Sequence, residues 1–335
     1  MKIIKVSASG GEKLAGLLLR QTPGGHGIWK NCKFVVNEPV KNCDWWFVCH
    51  GSGLSEKEST CCPPDHVVYI SMEPTEGVSG CKSEFIAQFS QVVMTDRNFS
   101  HKQITYSNGM TWWVGIRVVH DGTHHFDPVY RYGYDQFMAM DGIPDKYNKF
   151  SLIVSQKTSL PGHRKRLEFV EKLMNHPISE FIDVYGSGHR QVEDKWDAIA
   201  PYKYHIVLEN NVIPDYWSEK LGDAYLGFSY PIYYGCPNIS KYFDDKSLQV
   251  VDIKDFDDVV NKLENLLRSD VYEKSYESIK SSRAKILNDY NIFELMDRLS
   301  KNNEGENKKV VLKPNSDFED IWLKRIARQV KRTFF

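Results

Sequence analysis

Short apolar runs alternate with segments of helix-like spacing along the chain, and this alternation limits the possible folds more than any other feature. In the first half, the runs typical of strands are KIIKVSA, DWWFVCH, HVVYISM and QVVMTD. In the second half, they are SLIVSQ, FIDVYGSG, YHIVLEN, YPIYYG and LQVVDI. Among the latter lie three segments with apolar residues at helical spacing: HRKRLEFVEKLMNH, YWSEKLGDAYLGF and KDFDDVVNKLENLLRSD. Strand, helix and strand in series predict parallel sheets with helices on both faces.

A segment without a clear period, residues 120–149, separates the two series and is rich in Gly, Asp, Tyr and Pro. At 335 residues the chain is long enough for two domains. We therefore predict an α/β protein of two Rossmann-like domains that face a central cleft. The N-terminal domain should cover residues 1–145 and the C-terminal domain residues 146–305. In open sheets of this kind, ligands bind outside the carboxyl ends of the strands.

Residues 306–335 predict a basic amphipathic helix. Its apolar residues near one face are Phe318, Ile321, Trp322, Ile326, Val330 and Phe334. Five Lys or Arg residues lie within the last twelve positions. Such a helix can lie on an anionic membrane surface, or it can pack back on the first domain, and the sequence leaves both alternatives open.

Charge and cysteine content exclude several classes of partner. With 43 Lys and Arg against 44 Asp and Glu, no net field attracts nucleic acid. The first residues show neither a signal peptide nor a transmembrane run, so we expect neither. The seven cysteines form no C-x-x-C pair of the kind that holds zinc or does redox chemistry. These features favour the cytoplasm, with peripheral contact to the inner membrane face if the last helix binds lipid.

Searches for other common motifs narrow the chemistry. The chain lacks a P-loop, a G-x-G-x-x-G after the first strand, an H-E-x-x-H helix and a G-x-S-x-G elbow. The HGSG segment at His50–Gly53 is read as a tight turn in preference to a phosphate loop. Asp255 and Asp257 form a D-x-D that could hold a metal on a diphosphate. Their place at the start of a helix favours a capping role instead.

The most informative stretch is 207–235, VLENNVIPDYWSEKLGDAYLGFSYPIYYG. A strand should end at Glu209 and Asn210, and Asp215 should cap the helix that follows. The first turn of that helix would carry Ser218, Glu219 and Lys220. Carboxylates, an amide and a lysine at one strand end and one helix N-terminus suit a phosphorylated, hydroxyl-rich ligand.

This stretch resembles the signature of the family 10 glycosyltransferases, the α1,3/4-fucosyltransferases, whose pattern is F-E-N-S/T, a loop, Y-x-T-E-K, a helix and a P-I/V-x-x-G strand end. The matching residues are Glu209, Asn210, Tyr216, Ser218, Glu219, Lys220, Pro231 and Gly235. The departures are Leu208 for Phe, Asn211 for Ser or Thr, and Ser218 for Thr, and none of them removes a charged group. The likeness covers about residues 150–265 well and the first half only loosely.

The resemblance implies a GT-B fold and a donor site for a nucleotide sugar without an obligatory metal or cofactor. The donor diphosphate would be bound by an Arg near the start of a helix and by the Lys of E-K. The Arg is Arg166, with Arg164 as the fallback, and the Lys is Lys220. Glu219 would hold ribose hydroxyls, while Asn210 and Tyr216 would orient the sugar or its phosphates. The full predicted donor site is Arg166, Glu209, Asn210, Tyr216, Ser218, Glu219 and Lys220. Departure of the sugar leaves negative charge on the β-phosphate, and fixed cations stabilise that charge.

An inverting transfer also needs a base for the acceptor hydroxyl. The resemblance points to Glu73, which follows the strand in HVVYISMEPTEG, with Glu76 as its rival. It implies transfer of L-fucose from GDP-β-L-fucose to a glycan in an α1,3/4 linkage, as in lipopolysaccharide O-antigen synthesis. Two alternatives remain at this point: another nucleotide sugar with the same mechanism, and a nucleotide-sugar-binding protein without catalysis. Trp112 and Trp113 are read equally as acceptor contacts or as core residues.

Overall fold

The computed structural model describes residues 1–11, 15–50, 53–73, 81–107, 109–119, 127–158, 161–302 and 304–318. The strands are β1 (Lys2–Ala8), β2 (Ile28–Trp29), β3 (Cys32–Val36), β4 (Trp45–Cys49), β5 (Glu58–Cys62), β6 (Val67–Ile70), β7 (Gln91–Met94), β8 (Ile104–Tyr106), β9 (Ile116–Val119), β10 (Asp127–Tyr130), β11 (Tyr147–Ile153), β12 (Ile182–Tyr185), β13 (Tyr202–Leu208), β14 (Tyr230–Tyr234), β15 (Gln249–Val250) and β16 (Lys308–Leu312).

The α-helices are α1 (Ala15–Leu19), α2 (Ser83–Ile86), α3 (Tyr134–Ala139), α4 (Pro161–Met174), α5 (Lys195–Ile199), α6 (Glu219–Leu226), α7 (Phe256–Leu267), α8 (Val271–Leu287) and α9 (Ile292–Leu299). Short 3₁₀ turns lie at Pro23–Gly25, Pro64–His66, Pro177–Phe181, Ile239–Lys241, Asp245–Ser247 and Asn315–Phe318. No helix within the described ranges is long and apolar enough to span a membrane.

The first structural unit contains a seven-stranded sheet. The unit comprises residues 1–15, 27–109 and the described residues from Met296 onward. Its strand order is β2-β3-β1-β4-β6-β7-β8, and every pairing is parallel except that of β2 with β3. Buried Trp46, Tyr69 and Phe85 fill the core, as expected for strands covered on both faces. A separate antiparallel ribbon joins β5 to β16.

The second unit comprises residues 16–26 and 110–295 and contains a five-stranded parallel sheet of order β12-β11-β13-β14-β15. The chain runs from β11 to one neighbour, β12, and then returns to the other, β13. The strand order therefore reverses between β11 and β13, and ligands of open parallel sheets bind at the carboxyl ends of such a pair. Fully buried Tyr204, Tyr225 and Leu221 belong to the core of this unit.

The predicted strands and helices of both series are confirmed, but the unit boundaries differ from the predicted ones. Residues 110–145 belong to the second unit, together with 16–26. The buried Arg20 explains part of this exchange, because its guanidinium donates to the carbonyls of Trp112, Val114 and Tyr132. These long-range hydrogen bonds connect residues 16–26 to the rest of the second unit, and no local pattern in the sequence predicts them.

The predicted helix over residues 306–335 is wrong at its start. Residues 308–312 form strand β16, which pairs with β5 from Lys308 opposite Cys62 to Leu312 opposite Glu58. The β-branched pair Val310–Val311 favours a strand once a partner is present. Residues 319–335 lie outside the described residues, so contact of this segment with a membrane stays a prediction.

Candidate active site

A pocket lies at the carboxyl ends of β11 and β13, where the strand order of the second unit reverses. Its volume is about 160 Å³. The polar residues that line it are Ser155, Arg166, Lys195, His205, Glu219, Lys220 and Asp223. Three cations against two carboxylates give the lining a formal charge of +1, which suits an anionic ligand.

A buried carboxylate holds the start of α6 beside this pocket. Glu209 is 1% exposed and accepts hydrogen bonds from the backbone N–H of Ser218 at 2.7 Å and from its hydroxyl at 2.8 Å. Ser218 is the N-cap of α6, and its Oγ accepts from the N–H of Lys220 at 3.3 Å. Glu209 thus secures the loop that leads into the helix. Its direct contact with a donor stays a prediction.

The structure shows why the signature ends in a glycine, Gly235. A Cβ at this position would lie 2.5 Å from Cγ of Glu209 and 2.5 Å from the hydroxyl of Tyr233. Only glycine leaves room for the Glu209 side chain to reach Ser218. Gly162 has a similar role at the start of α4, where a Cβ would lie 1.7 Å from the carbonyl oxygen of Asn210.

Lys220 lies among three acceptors. Its Nζ is 3.0 Å from Ser218 Oγ, 3.3 Å from Glu219 Oε1 and 3.4 Å from Glu209 Oε2. Burial alone would lower the pKa of this lysine, but the carboxylates of Glu219 and Glu209 raise it above its ordinary value. Lys220 is therefore a permanent cation.

Glu219 is held in its charged form by the same arrangement. Burial alone would raise its pKa, but Lys220 and Lys195 lower it to about 2. The side chain is 29% exposed and lines the pocket. An ionised, accessible carboxylate can accept two hydroxyl hydrogen bonds.

Arg166 bridges the two strands at the reversal point. Its Nη1 donates to Asn210 Oδ1 at 2.6 Å, after β13, and its Nη2 lies 3.2 Å from both the carbonyl and the hydroxyl of Ser155, after β11. The Nε has no partner in the described part of the chain. Burial lowers the pKa of this guanidinium, and Glu209 opposes that shift.

Arg166 lies deeper in its helix than the predicted position near the helix start. Helix α4 spans Pro161–Met174, which puts Arg166 more than one turn inside it, on the buried face. The exposed alternative, Arg164, donates instead to the carbonyl of Thr158 at 3.0 Å. Arg166 reaches the pocket because its long side chain follows the helix surface to the strand ends.

Asp215 was predicted to cap α6, and this is also wrong. It has a φ of 65° and accepts from Asn238 Nδ2 at 2.7 Å and from the hydroxyl of Tyr242 at 2.8 Å. The helix begins later, after Ser218. Tyr216, in the same loop, is only 6% exposed.

The capping role of Asp255 is confirmed. It is the N-cap of α7, and its Oδ1 accepts from the N–H of Asp258 at 3.1 Å, while Asp257 lies exposed in the first turn.

Trp112 is fully buried and packs edge-on against Phe137. Of the two interpretations of this residue, the structure therefore supports the one as a core residue. Across the described ranges, no cluster of three or more His, Cys, Asp or Glu side chains is arranged to hold a metal.

The sequence alone missed Lys195 and Asp223. Asp223 is buried and accepts from the backbone N–H groups of Trp113 at 2.9 Å and Val114 at 3.2 Å. Lys195 Nζ lies 3.0 Å from its other oxygen. Burial raises the pKa of Asp223, and Lys195 opposes that shift. The position of Asp223, one helical turn after Glu219, could have indicated the shared face. Lys195 comes from a separate helix and gave no such signal.

His205 lines the pocket as a neutral ring. It is 3% exposed, and its Nδ1 is 2.8 Å from the hydroxyl of Ser151. Burial and the positive charges of Lys195 and Lys146 lower its pKa to about 3. This histidine therefore adds no positive charge to the site at neutral pH.

Glu73 lies in the first unit, three residues after β6. Its side chain is 49% exposed, and Oε1 is 3.9 Å from Nε2 of His50. The hydroxyl of Ser71 donates to its carbonyl at 2.9 Å. His50 itself has a φ of 67°, an uncommon conformation for a residue with a Cβ. The rival base, Glu76, lies outside the described residues.

Comparison with known proteins shows which family this region is similar to. The model of glycosyltransferase family 10 (fucosyltransferase), C-terminal part, matches residues 143–301. This region is similar to the family 10 glycosyltransferases. The match includes every predicted donor-site residue, from Arg166 to Lys220, and excludes Glu73.

Individual relatives agree with the family 10 assignment. An α-(1,3)-fucosyltransferase, FucT, of Helicobacter pylori is 36% identical over 137 residues, which are 36% of this chain and 28% of that protein. A putative fucosyltransferase, R654, of Acanthamoeba polyphaga mimivirus is 33% identical over 127 residues, or 36% of this chain and 21% of that protein. These matches thus span less than a third of either relative's length.

A solved structure shares the fold of the chain. The crystal structure of an α1,3-fucosyltransferase with GDP-fucose superposes with a TM-score of 0.50 at 17% identity and covers 90% of this chain and 91% of that one. The fold class is that of the GT-B glycosyltransferases, as predicted.

The low pKa of Glu219 predicts a pH-dependent contribution to stability. A carboxylate with a native pKa of about 2, below an ordinary value of about 4.3, stabilises the fold above that ordinary value and loses the effect as pH falls toward 2. Glu219→Gln should therefore cost about 1–2 kcal/mol near pH 7. The difference in melting temperature from the parent should shrink as pH falls from 5 to 3.

The control for this experiment is Glu264→Gln. Glu264 forms an exposed i,i+4 pair with Arg268 at 3.2 Å. An exposed pair of this kind contributes little, so the control should melt with the parent across the same pH range. A Glu219→Gln deficit that stayed constant with pH would contradict the lowered pKa.

Proposed function

We propose that this chain is an inverting fucosyltransferase that moves L-fucose from GDP-β-L-fucose to a hydroxyl of a glycan acceptor, with an α1,3/4-type linkage. One observation carries the proposal: Arg166 and Lys220 line one pocket at the strand reversal of a family 10 domain. The GDP-fucose complex of a structurally similar enzyme supports the choice of donor.

The donor half of the mechanism follows from the fixed charges. As the acceptor oxygen bonds to the anomeric carbon, the bond from that carbon to the β-phosphate oxygen breaks, and its electron pair goes to the phosphate. Arg166 and Lys220 stabilise this charge, and their positions are already set by Asn210, Ser155 and Glu209. Preorganised cations need no reorganisation when the charge develops, which lowers the barrier.

The ribose is the ligand we assign to Glu219. Its ionised oxygens lie beside Lys220, and a carboxylate next to a cation that binds the diphosphate can accept hydrogen bonds from the ribose at the other end of that diphosphate. Asn210, itself held by Arg166, and Tyr216 would orient the remainder of the donor.

The acceptor half requires a base, and we assign this role to Glu73. Its side chain is 49% exposed at the carboxyl edge of a parallel sheet, which is where mobile substrates meet such sheets. The acceptor hydroxyl would lose its proton to this carboxylate as its oxygen attacks on the face opposite the departing phosphate. Nε2 of His50 lies 3.9 Å from this carboxylate.

One assay separates this function from its alternatives. The chain is incubated with GDP-fucose, with other nucleotide sugars and with a panel of glycans, and products are identified by mass spectrometry. Fucose transfer supports the proposal, whereas transfer from a different donor keeps the mechanism and changes the sugar. Donor binding without any transfer would mean a nucleotide-sugar-binding protein.

The diphosphate contacts predict a loss of donor affinity in two variants. Lys220→Ala and Arg166→Ala should each weaken GDP binding about ten- to hundredfold, because each loses a charged hydrogen bond. Isothermal titration with GDP measures the effect, and circular dichroism checks that the fold is intact. Lys274→Ala is the control, since Lys274 is 73% exposed and pairs with the exposed Asp270. Parental GDP affinity in both variants would refute the assignment.

We further propose that transfer needs no divalent metal, because Arg166 and Lys220 supply the cations and Asp255 is engaged as a helix cap. Activity should survive incubation with EDTA. Complete loss of activity, restored by manganese, would instead assign Asp255 and Asp257 to a metal.

If Glu73 is the base, its replacement should slow fucose transfer without weakening donor binding. Glu73→Gln should bind GDP-fucose with parental affinity, since the proposed donor contacts come from the other unit. Transfer should fall about a hundredfold or more, the usual scale for a positioned base. Single-turnover kinetics measures this loss. Parental turnover together with an inactive Glu76→Gln variant would move the role to Glu76.

A further inference from the structure

The first unit contains a second and larger cavity, which the proposed mechanism does not use. Its volume is about 590 Å³. The polar side chains that line it are those of Lys5, Asn37, Ser55, Glu56, Glu58 and Ser59, joined by Glu38. The cavity lies beside β1 and the turn that follows β3, at the carboxyl edge of the seven-stranded sheet.

The floor of the cavity is a fixed polar network. Lys5 is 4% exposed, pairs with Glu58 at 2.8 Å and donates to the carbonyl of Glu38 at 3.3 Å. The Ser7 hydroxyl donates to the same Glu58 oxygen at 2.9 Å and accepts from the indole N–H of Trp46 at 3.0 Å. A network in which each group has partners is rigid, so the shape of the floor is preset.

One wall is fixed by Asn37. This residue has a φ of 58°, which asparagine tolerates better than most residues. Its Oδ1 accepts from the N–H of Ala8 at 2.7 Å, and its Nδ2 donates to the carbonyl of Gly11 at 2.6 Å. Asn37 thereby joins the ends of β1 and β3 and keeps the cavity open between them.

The rim carries unused acceptors. The carboxylates of Glu38 and Glu56 are exposed and have no partner among the described residues. Three carboxylates against one lysine give the lining a formal charge of −2, which opposes phosphate or carboxylate ligands. The part of the chain that the structure describes forms no group of three or more side chains able to hold a metal ion. Carboxylate, amide and hydroxyl groups suit a neutral ligand with many hydroxyls.

The distance from Glu73 defines which part of an acceptor would lie here. Ala8, at the cavity, pairs with Cys49, and Cys49 pairs with Ile70 at the end of the strand before Glu73. Two strand spacings, about 10 Å, therefore separate the cavity edge from the strand that positions Glu73. One sugar ring does not bridge this distance.

We propose that this cavity is a subsite for a neutral sugar of the glycan acceptor, next to the sugar that receives the fucose. The inference rests on the proposed function, and it selects acceptors of at least two sugars that carry no carboxylate or phosphate at this position. The acceptor's neighbouring sugar would donate its hydroxyls to Glu38 and Glu56.

The test uses the full chain on a printed array of neutral glycans and their sialylated or phosphorylated counterparts, without donor. The parent should bind neutral oligosaccharides in preference to their acidic counterparts. The double variant Glu38→Ala/Glu56→Ala should lose at least tenfold in affinity, since two charged acceptors are removed. The control Glu306→Gln changes a carboxylate that is 82% exposed and outside the cavity, and should bind as the parent does.

Measurements of GDP affinity and transfer separate this inference from the proposed function. GDP should bind the double variant as tightly as the parent, and in transfer assays the acceptor KM should rise at least tenfold while the donor KM stays constant. Fucose transfer with an unchanged acceptor KM would overturn the subsite and leave the function intact. Neutral-glycan binding lost in the double variant, without transfer in the parent, would support a neutral-glycan site in this cavity and refute both the transfer function and the acceptor role of the site. A parent that binds only acidic glycans, or none, would overturn the subsite.

Discussion

The buried carboxylate of Glu209 is the interaction on which the rest of the candidate site depends. A charge that is 1% exposed must be paired and hydrogen-bonded, since an unpartnered buried carboxylate costs several kcal/mol. The Ser218 N–H, the Ser218 hydroxyl and the Lys220 ammonium meet that requirement together. The same bonds fix where α6 begins, and they direct Lys220 toward the pocket.

Arg166 fixes the neighbouring strand ends, as Glu209 fixes the start of α6. Its guanidinium joins Ser155 to Asn210, and so joins the ends of the two strands between which the chain order reverses. Gly162 allows the helix that carries Arg166 to approach the Asn210 backbone closely. Two cations are therefore held on rigid elements beside one pocket, and such a pair suits a ligand with neighbouring negative charges, such as the diphosphate that we propose.

Local patterns explain which parts of this structure could be predicted. The apolar run from Lys2 to Ala8 coincides with β1, and the helical spacing after Pro161 coincides with α4, because each element buries the face that its own residues define. The E-N and S-E-K residues were likewise found together, since they lie near each other in the chain and match a family pattern.

The features that the sequence did not predict depend on contacts between residues that are distant in the chain. Arg20 ties residues 16–26 to carbonyls more than ninety positions away, and β16 exists because β5 supplies its partner. Lys195 meets Asp223 only through the packing of two helices. Asp215 is of a residue type that often caps helices, but its carboxylate accepts hydrogen bonds from Asn238 and Tyr242 instead.

A crystal structure of the chain with GDP would show whether Arg166 and Lys220 bind the diphosphate. We expect the diphosphate oxygens to lie within hydrogen-bond distance of Arg166 and Lys220, with the ribose hydroxyls on Glu219 and with Glu209 still bonded to Ser218. A nucleotide bound elsewhere, or one whose phosphates contact neither cation, would contradict this expectation.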